Sequence, residues 1–509
     1  MIQLTEKDYE AIPKIGAKDA SYSELRFYYN TIYYQIGNLS LQDYWDYLDV
    51  LCAEGYKRHD SHDRGLVDTV YTSVFQKDGK ELNLFYYVPA KKIWISLSQD
   101  EYRAPWSMEE VYEKVPVMHA NHSIFHTAKH YGNGNYVVEA DYVSKSDYKA
   151  YLDLLKQEGF SKYVENEEGL NHEVFSASYT NDNVLVAVTY LQNTKKIYIS
   201  ATFNQPLSEH LFFDAKDVAA NPIDSKTELH FLNLEQGGNG LVWKLKNGHF
   251  VLSDCGLPGD IDFVLDYLEK ETPNGEKPII EGWFISHGHA DHCGLFTSIA
   301  VHPEKYADRI YLEGVYYNEP KDLVFALDGL GKAPTTLIKD ALKILKTSKG
   351  ETPVIYRPRM GERYYFNDIT IDIVMAQEQL LYDYYSGDMN DSSTWCMFNV
   401  EGQKCLFGGD GDRGGMRVIM NAYAKDYMKV DFFTLLHHGW ATRRWFADHC
   451  EIDTMLVTVT GRGEIPPSRK ADNDYQKEKC KEWITSADGT KVFTFPYVPG
   501  SYKHLDSLH

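Results

Sequence analysis

Three histidines and an aspartate fall within six residues, His287-Gly288-His289-Ala290-Asp291-His292, directly after the apolar run that ends at Ile285-Ser286. Imidazole and carboxylate together suit Zn, Mn or Fe, and crowding their lone pairs and charge is costly unless a cation absorbs them. The spacing divides the ligands into two sets. His287 and His289 are two apart on an exit loop and can project to one side, whereas Asp291 and His292 begin the next helix and can face a second ion. The competing explanation is a histidine-rich helix cap.

Two later stretches repeat the device. Leu406-Phe407-Gly408-Gly409-Asp410 is an apolar strand ending in a carboxylate, and Phe432-Phe433-Thr434-Leu435-Leu436-His437-His438-Gly439 is a strand ending in two imidazoles. A carboxylate can bridge two cations and a strand-end histidine can close the second site, so the three stretches together predict a binuclear centre. Alone, Asp410 is an ordinary loop aspartate.

The elements that must carry these residues begin near Lys226. Glu228–Leu234, Leu241–Leu245 and Phe250–Gly256 read as strands around a Gly237-Gly238-Asn239-Gly240 turn, Ile261–Leu268 as an amphipathic helix, and Ile279–Ile285 as an all-apolar strand that delivers the cluster at its end. Layered α/β architectures place ligands on such strand-end loops.

The first two hundred residues have a different texture, with a repeat at a constant offset of 104 residues. Ser40-Leu41-Gln42-Asp43-Tyr44 recurs as Ser144 to Tyr148, and Lys91-Lys92-Ile93-Trp94-Ile95-Ser96 recurs as Lys195 to Ser200. Each copy predicts a strand, a capped helix stopped by Gly55 or Gly159, and several antiparallel strands. We expect two tandem α+β modules. Their histidines do not recur at equivalent places, and the Met118–His126 stretch, with His119, His122 and His126, reads as a polar linker. The many tyrosines fit either a protein-binding surface or half-buried strand positions.

The chain has 509 residues, 43% of them hydrophobic, enough for several cored domains. Its 52 basic against 74 acidic residues leave a net charge of -22, which repels long nucleic acid and anionic membranes. Residues 1–14 lack the pattern of a leader, and no window approaches the roughly 18 apolar residues of a membrane span, so a cytoplasmic protein without membrane contact is expected. Seven cysteines without a CxxC pair suit reduced, packed thiols.

Taken in order, His-x-His-x-Asp-His, strand-Gly-Asp and strand-His-His-Gly resemble the metallo-β-lactamase fold superfamily over about residues 226–500. Within it the chain is most similar to the hydrolase domain of competence-type DNA-uptake proteins, through Asn390-Asp391-Ser392-Ser393-Thr394-Trp395 and Leu456-Val457-Thr458-Val459-Thr460-Gly461. The resemblance implies an α/β fold with a C-terminal αββα sandwich, preceded by the two repeat modules. The implied organisation is an N-terminal segment 1–25, module 26–105, linker 106–130, module 131–210 and hydrolase domain 226–500. It also implies metal ligands His287, His289, Asp291, His292, bridging Asp410 and His437, with Asp254 as structural support. His437 is preferred to His438 because it is the first of the two off the strand and lies two before the glycine.

The chain departs from that family pattern in three ways. No histidine lies between Pro303 and Leu436, where many members carry one, which leaves one ion short of a ligand unless Asn390, Asp391 or Ser393 substitutes. Trp440 follows His-His-Gly where the branch has serine, and there is no membrane channel. The expected chemistry is hydrolysis by water that a divalent ion activates near pH 7. Asp291 and His292 are the expected catalytic residues, Asp291 to orient or deprotonate that water. Asn390, Ser393, His438 and Arg443 are the expected substrate contacts, and Arg413, Arg444 and Arg462 are further phosphate-binding candidates. The preferred substrate is a small phosphodiester, nucleotide or short single strand. A lactone or thioester is the second candidate, and a partner-binding protein with a degenerate metal site is the alternative from another class. The N-terminal modules are candidates for binding a protein partner.

Overall fold

The computed structural model describes residues 4–28, 31–61, 70–99, 115–118, 120, 124–125, 129–130, 135–181, 184–203, 208–211, 226–320, 333–380, 389–458 and 467–505. Arg462, His119, His122 and His126 lie outside the described residues.

Two antiparallel sheets precede residue 226, each backed by one helix. Thr31–Gly37, Lys92–Gln99, Lys80–Tyr87, Val70–Lys77 and Lys57–Ser61 lie side by side in that order. Asn135–Asp141, Lys196–Phe203, Val184–Leu191, Val174–Asn181 and Ser161–Glu165 repeat the order. Local chemistry sets the helices: Ser40 and Ser144 each close a reciprocal capping box with an aspartate three residues on. The helices, Leu41–Ala53 and Lys145–Gln157, bury Tyr44, Tyr47, Leu48 and Leu51, and Tyr148, Tyr151, Leu152 and Leu155. Tyr44 stacks on Tyr86 at 5.3 Å, and Tyr148 on Tyr190 at 5.4 Å. These tyrosines are core residues. Within the stretch expected as a linker, Ile124–Phe125 and Lys129–His130 pair with Asn135–Asp141.

Beyond residue 226 two mixed sheets face each other. One contains Ile279–Ile285 between Gly314–Tyr317 and Phe250–Asp254, all parallel, and extends through antiparallel strands to Thr490–Thr494. The other runs from Arg363–Phe366 to Glu482–Thr485, with Gln403–Phe407, Phe432–Thr434 and Thr454–Val457 parallel. Between them lies an aromatic core, including Trp243 stacked on Phe398 at 4.9 Å. Helices Ile261–Glu271, Ala290–Val301 and Ala333–Ile344 cover the first sheet, and Arg413–Ala422 and Arg444–Cys450 the second. The order is therefore helices, sheet, sheet, helices.

Several boundaries differ from the sequence expectation. The first strand stops at Phe231, the helix from Ile261 continues to Glu271, and the strand from Phe432 stops at Thr434 before a tight turn, Leu436–Gly439. The strand Val184–Leu191 is buried at every position because its sheet is covered on both faces. One face packs on its own helix. The other meets the C-terminal region, where Ser176 donates to the Gly361 carbonyl at 2.8 Å, Thr189 to the Met360 carbonyl at 3.0 Å, and Arg359 to Ser200 at 3.2 Å. Among the described residues no helix is long and apolar enough to cross a membrane. All seven cysteines are unpaired, and burial pushes the Cys293 thiol up to about 12, which suits packing.

Candidate metal centre

The site forms where parallel strands of both sheets end. Phe250–Asp254 and Ile279–Ile285 supply Asp254 and the His287–His292 loop, while Gln403–Phe407, Phe432–Thr434 and Thr454–Val457 lead to Asp410, His437-His438 and Thr458. Carboxyl ends of adjacent parallel strands form a crevice in open α/β sheets, so chemistry collects there.

Asp291, His292, Asp410 and His438 form one group whose ligand atoms all lie within 4.8 Å of one another, and His287, His289 and Asp410 form another. Asp410 belongs to both. His292 Nε2 lies 3.0 Å and His438 Nε2 3.6 Å from Asp410 Oδ1, and His438 Nε2 lies 3.2 Å from Asp291 Oδ2. The second Asp410 oxygen, Oδ2, faces His437 Nε2 at 3.5 Å.

His438 lies in the buried group with Asp291, His292 and Asp410, while His437, the residue preferred from sequence, faces the other Asp410 oxygen. Both residues adopt left-handed backbone, φ +48° and +51°, so the chain coils tightly after Leu436 and turns His438 inward. The His437 side chain remains 23% exposed. The two histidines flank opposite oxygens of one carboxylate.

The surrounding hydrogen bonds fix which atoms face the centre. Asp254 accepts from the Ser286 amide at 2.7 Å and hydroxyl at 2.8 Å, and lies 2.5 Å from His292 Nδ1. His438 Nδ1 lies 2.8 Å from Thr458 Oγ1. These contacts leave both Nε2 atoms pointing inward. Four buried atoms there, His292 Nε2, His438 Nε2 and both Asp410 oxygens, make no hydrogen bond. Buried polar atoms normally have partners. Convergent imidazole and carboxylate atoms without them suit divalent cations, so the donor set fits one or two such ions.

The buried charges of the site act strongly on one another. Burial opposes ionisation of Asp410, but His292 and His438 outweigh it and hold the carboxyl well below its ordinary range. Burial also opposes a charge on His292, yet Asp410 and Asp254 raise its pKa well above the ordinary value. Burial and then His292 push His287 well below its ordinary value. Asp291 is lowered against its burial, first by His438.

Both His292 nitrogens face carboxylates, Nδ1 that of Asp254 and Nε2 that of Asp410. Asn390 Oδ1 lies 2.8 Å from His289 Nδ1 and Ser393 Oγ 3.3 Å from His287 Nδ1. His438 moves from substrate contact into the buried group. Arg443 lies nearby, near Asp412. Ser286 and Thr458 went unassigned from sequence because a hydroxyl gains such a role only through its partner. A third group, Glu228, His230 and Glu271, has Lys503 and Lys244 on its carboxylates.

Asp254→Asn tests the supporting shell. Losing the charge that fixes His292 is expected to weaken metal binding about 10- to 100-fold while the chain stays folded, measured by Zn titration and circular dichroism. Unchanged affinity would remove Asp254 from the site.

No protein-family model matches the chain, and no curated protein matches it. Among solved structures, a metallo-β-lactamase from Hirschia baltica matches with a TM-score of 0.21 and 14% identity, covering 36% of this chain and 74% of that chain.

Proposed function

We propose that the chain is a metal-dependent hydrolase of the metallo-β-lactamase type, acting on small phosphodiesters such as nucleotides or short single strands. The observation that carries this reading is the buried, hydrogen-bond-free Asp410 carboxylate shared by two histidine-containing groups. When bound, divalent ions there supply a water nucleophile near neutral pH and polarise the bond to be cut. The same donor set would serve acyl hydrolysis of a lactone or thioester, so turnover separates the two substrates.

The chain's own residues do the positioning. Asp254 and Thr458 hold His292 and His438 with their Nε2 atoms inward, and Asn390 and Ser393 steady His289 and His287. Asp291, held ionised, has the charge to orient water.

The test is paired turnover of a generic phosphodiester and a generic lactone by metal-loaded protein, with His289→Ala as control. We expect phosphodiester cleavage that the variant loses. Faster lactone cleavage would transfer the proposal to acyl chemistry, and equal activity in the variant would end the hydrolase reading.

A further inference from the structure

Arg443 is a buried cation whose carboxylate neighbours stop short of hydrogen-bond distance. Its side chain is only 5% exposed, and Nε, Nη1 and Nη2 are all buried without a hydrogen bond. Its nearest carboxylate atoms are Asp412 Oδ1 at 3.6 Å and Asp472 Oδ2 at 3.9 Å, beyond hydrogen-bond distance. A guanidinium has five donors in a planar fork, and leaving them all unused in a dry place is costly. Arg443 has ion-pair neighbours but no hydrogen-bond acceptor for its fork.

The surroundings point to an anion. Asp472 is already taken by Arg444 Nε at 2.9 Å. Burial first, and then the nearby charges of Arg469 and Arg413, lower the Arg443 pKa to about 10 against the pull of Asp412 and Asp472. Positive groups therefore gather locally in a chain whose net charge is -22. Trp440 Nε1, three residues before Arg443, is another buried donor without a partner.

The place is also informative. Asp412 lies two residues after Asp410, and Arg443 five residues after His438. Asn473 donates to the Gly439 carbonyl at 3.0 Å, tying the His437-His438 turn to the helix that carries Arg469 and Asp472. The guanidinium thus belongs to the shell of loops that builds the metal centre.

We propose that Arg443, with Trp440, forms an anion subsite that takes phosphoryl oxygens of the substrate. A tetrahedral phosphoryl group offers several acceptors to the fork, and a water-poor setting strengthens the attraction. The substrate assignment rests on the hydrolase reading, whereas the anion site itself does not.

Calorimetric titration of inorganic phosphate and of a dinucleotide onto full-length protein tests this, both metal-loaded and after chelation. Chelated wild type is expected to bind phosphate, and Arg443→Gln to weaken both ligands at least about tenfold with metal stoichiometry unchanged. Arg443→Lys, which keeps the charge but loses the fork, is expected to fall between them. Should the glutamine variant fail to fold, the lysine variant and chelated wild type decide. Absence of phosphate binding to chelated wild type, or equal affinity in a folded variant, overturns the subsite. Phosphate bound by Arg443 without turnover of any phosphodiester leaves the subsite standing and removes the hydrolase reading. Phosphate bound without the dinucleotide restricts the subsite to free phosphate and overturns its role toward substrate.

Discussion

Asp410→Asn is expected to abolish paired metal binding and to lower turnover by about a thousandfold or more. The carboxylate is fully buried, neither oxygen makes a hydrogen bond, and its neighbours keep it ionised. Oδ1 faces His292 and His438 while Oδ2 faces His437, so one side chain serves two groups. Asparagine preserves the shape but removes the charge and turns an amide donor toward atoms that must accept a cation. Loss of one preorganised electrostatic group elsewhere costs about 10²–10³ in rate, and this one acts on both sides of the centre. Metal analysis and turnover of the same preparation check the prediction. Full metal content in a folded variant would refute the bridging role.

Gly238→Ala is expected to have the largest structural effect of any small substitution near the centre. Gly238 has φ +108°, and an added Cβ would lie 2.4 Å from the Asp291 carbonyl oxygen and 2.9 Å from Gly256 Cα. Both obstacles are backbone, so relief requires moving the first turn of the helix that carries Asp291 and His292. Strain at such a φ together with overpacking predicts a loss of about 3 kcal/mol or more, with weakened metal binding. Gly350 provides the control: its φ is +81° but nothing lies within 4 Å of an added Cβ. Gly350→Ala should therefore cost only about 1 kcal/mol and leave metal binding unchanged. Similar losses in the two melting curves would show that the close approach at Gly238 is not essential.

The gathering of His287, His289, Asp291 and His292 was legible because they lie close in sequence on a strand-to-helix junction. Asp410 was legible because an apolar strand ends just before it. Which of His437 and His438 turns toward the buried group was not, since that depends on two consecutive left-handed residues whose conformation no side-chain pattern announces. The roles of Asn390 and Ser393 were hidden for another reason. Their contacts reach His289 and His287 across 101 and 106 residues, and a polar side chain at such separation reads equally well as a substrate contact.

Within the modules, Ser40 with Asp43 and Ser144 with Asp147 announced both helix starts, because a capping box is local chemistry. The contact between the second sheet and Met360–Gly361 was not visible. Ser176 and Thr189 are small polar strand residues, and only the fold shows that they face another backbone.

The most direct test is the number of metal ions per chain, measured on purified full-length protein by elemental analysis alongside His289→Ala. Two buried groups sharing Asp410 predict two equivalents of divalent metal in the wild type and fewer in the variant. Wild-type protein that takes up no metal at micromolar Zn, Mn or Fe would contradict the account.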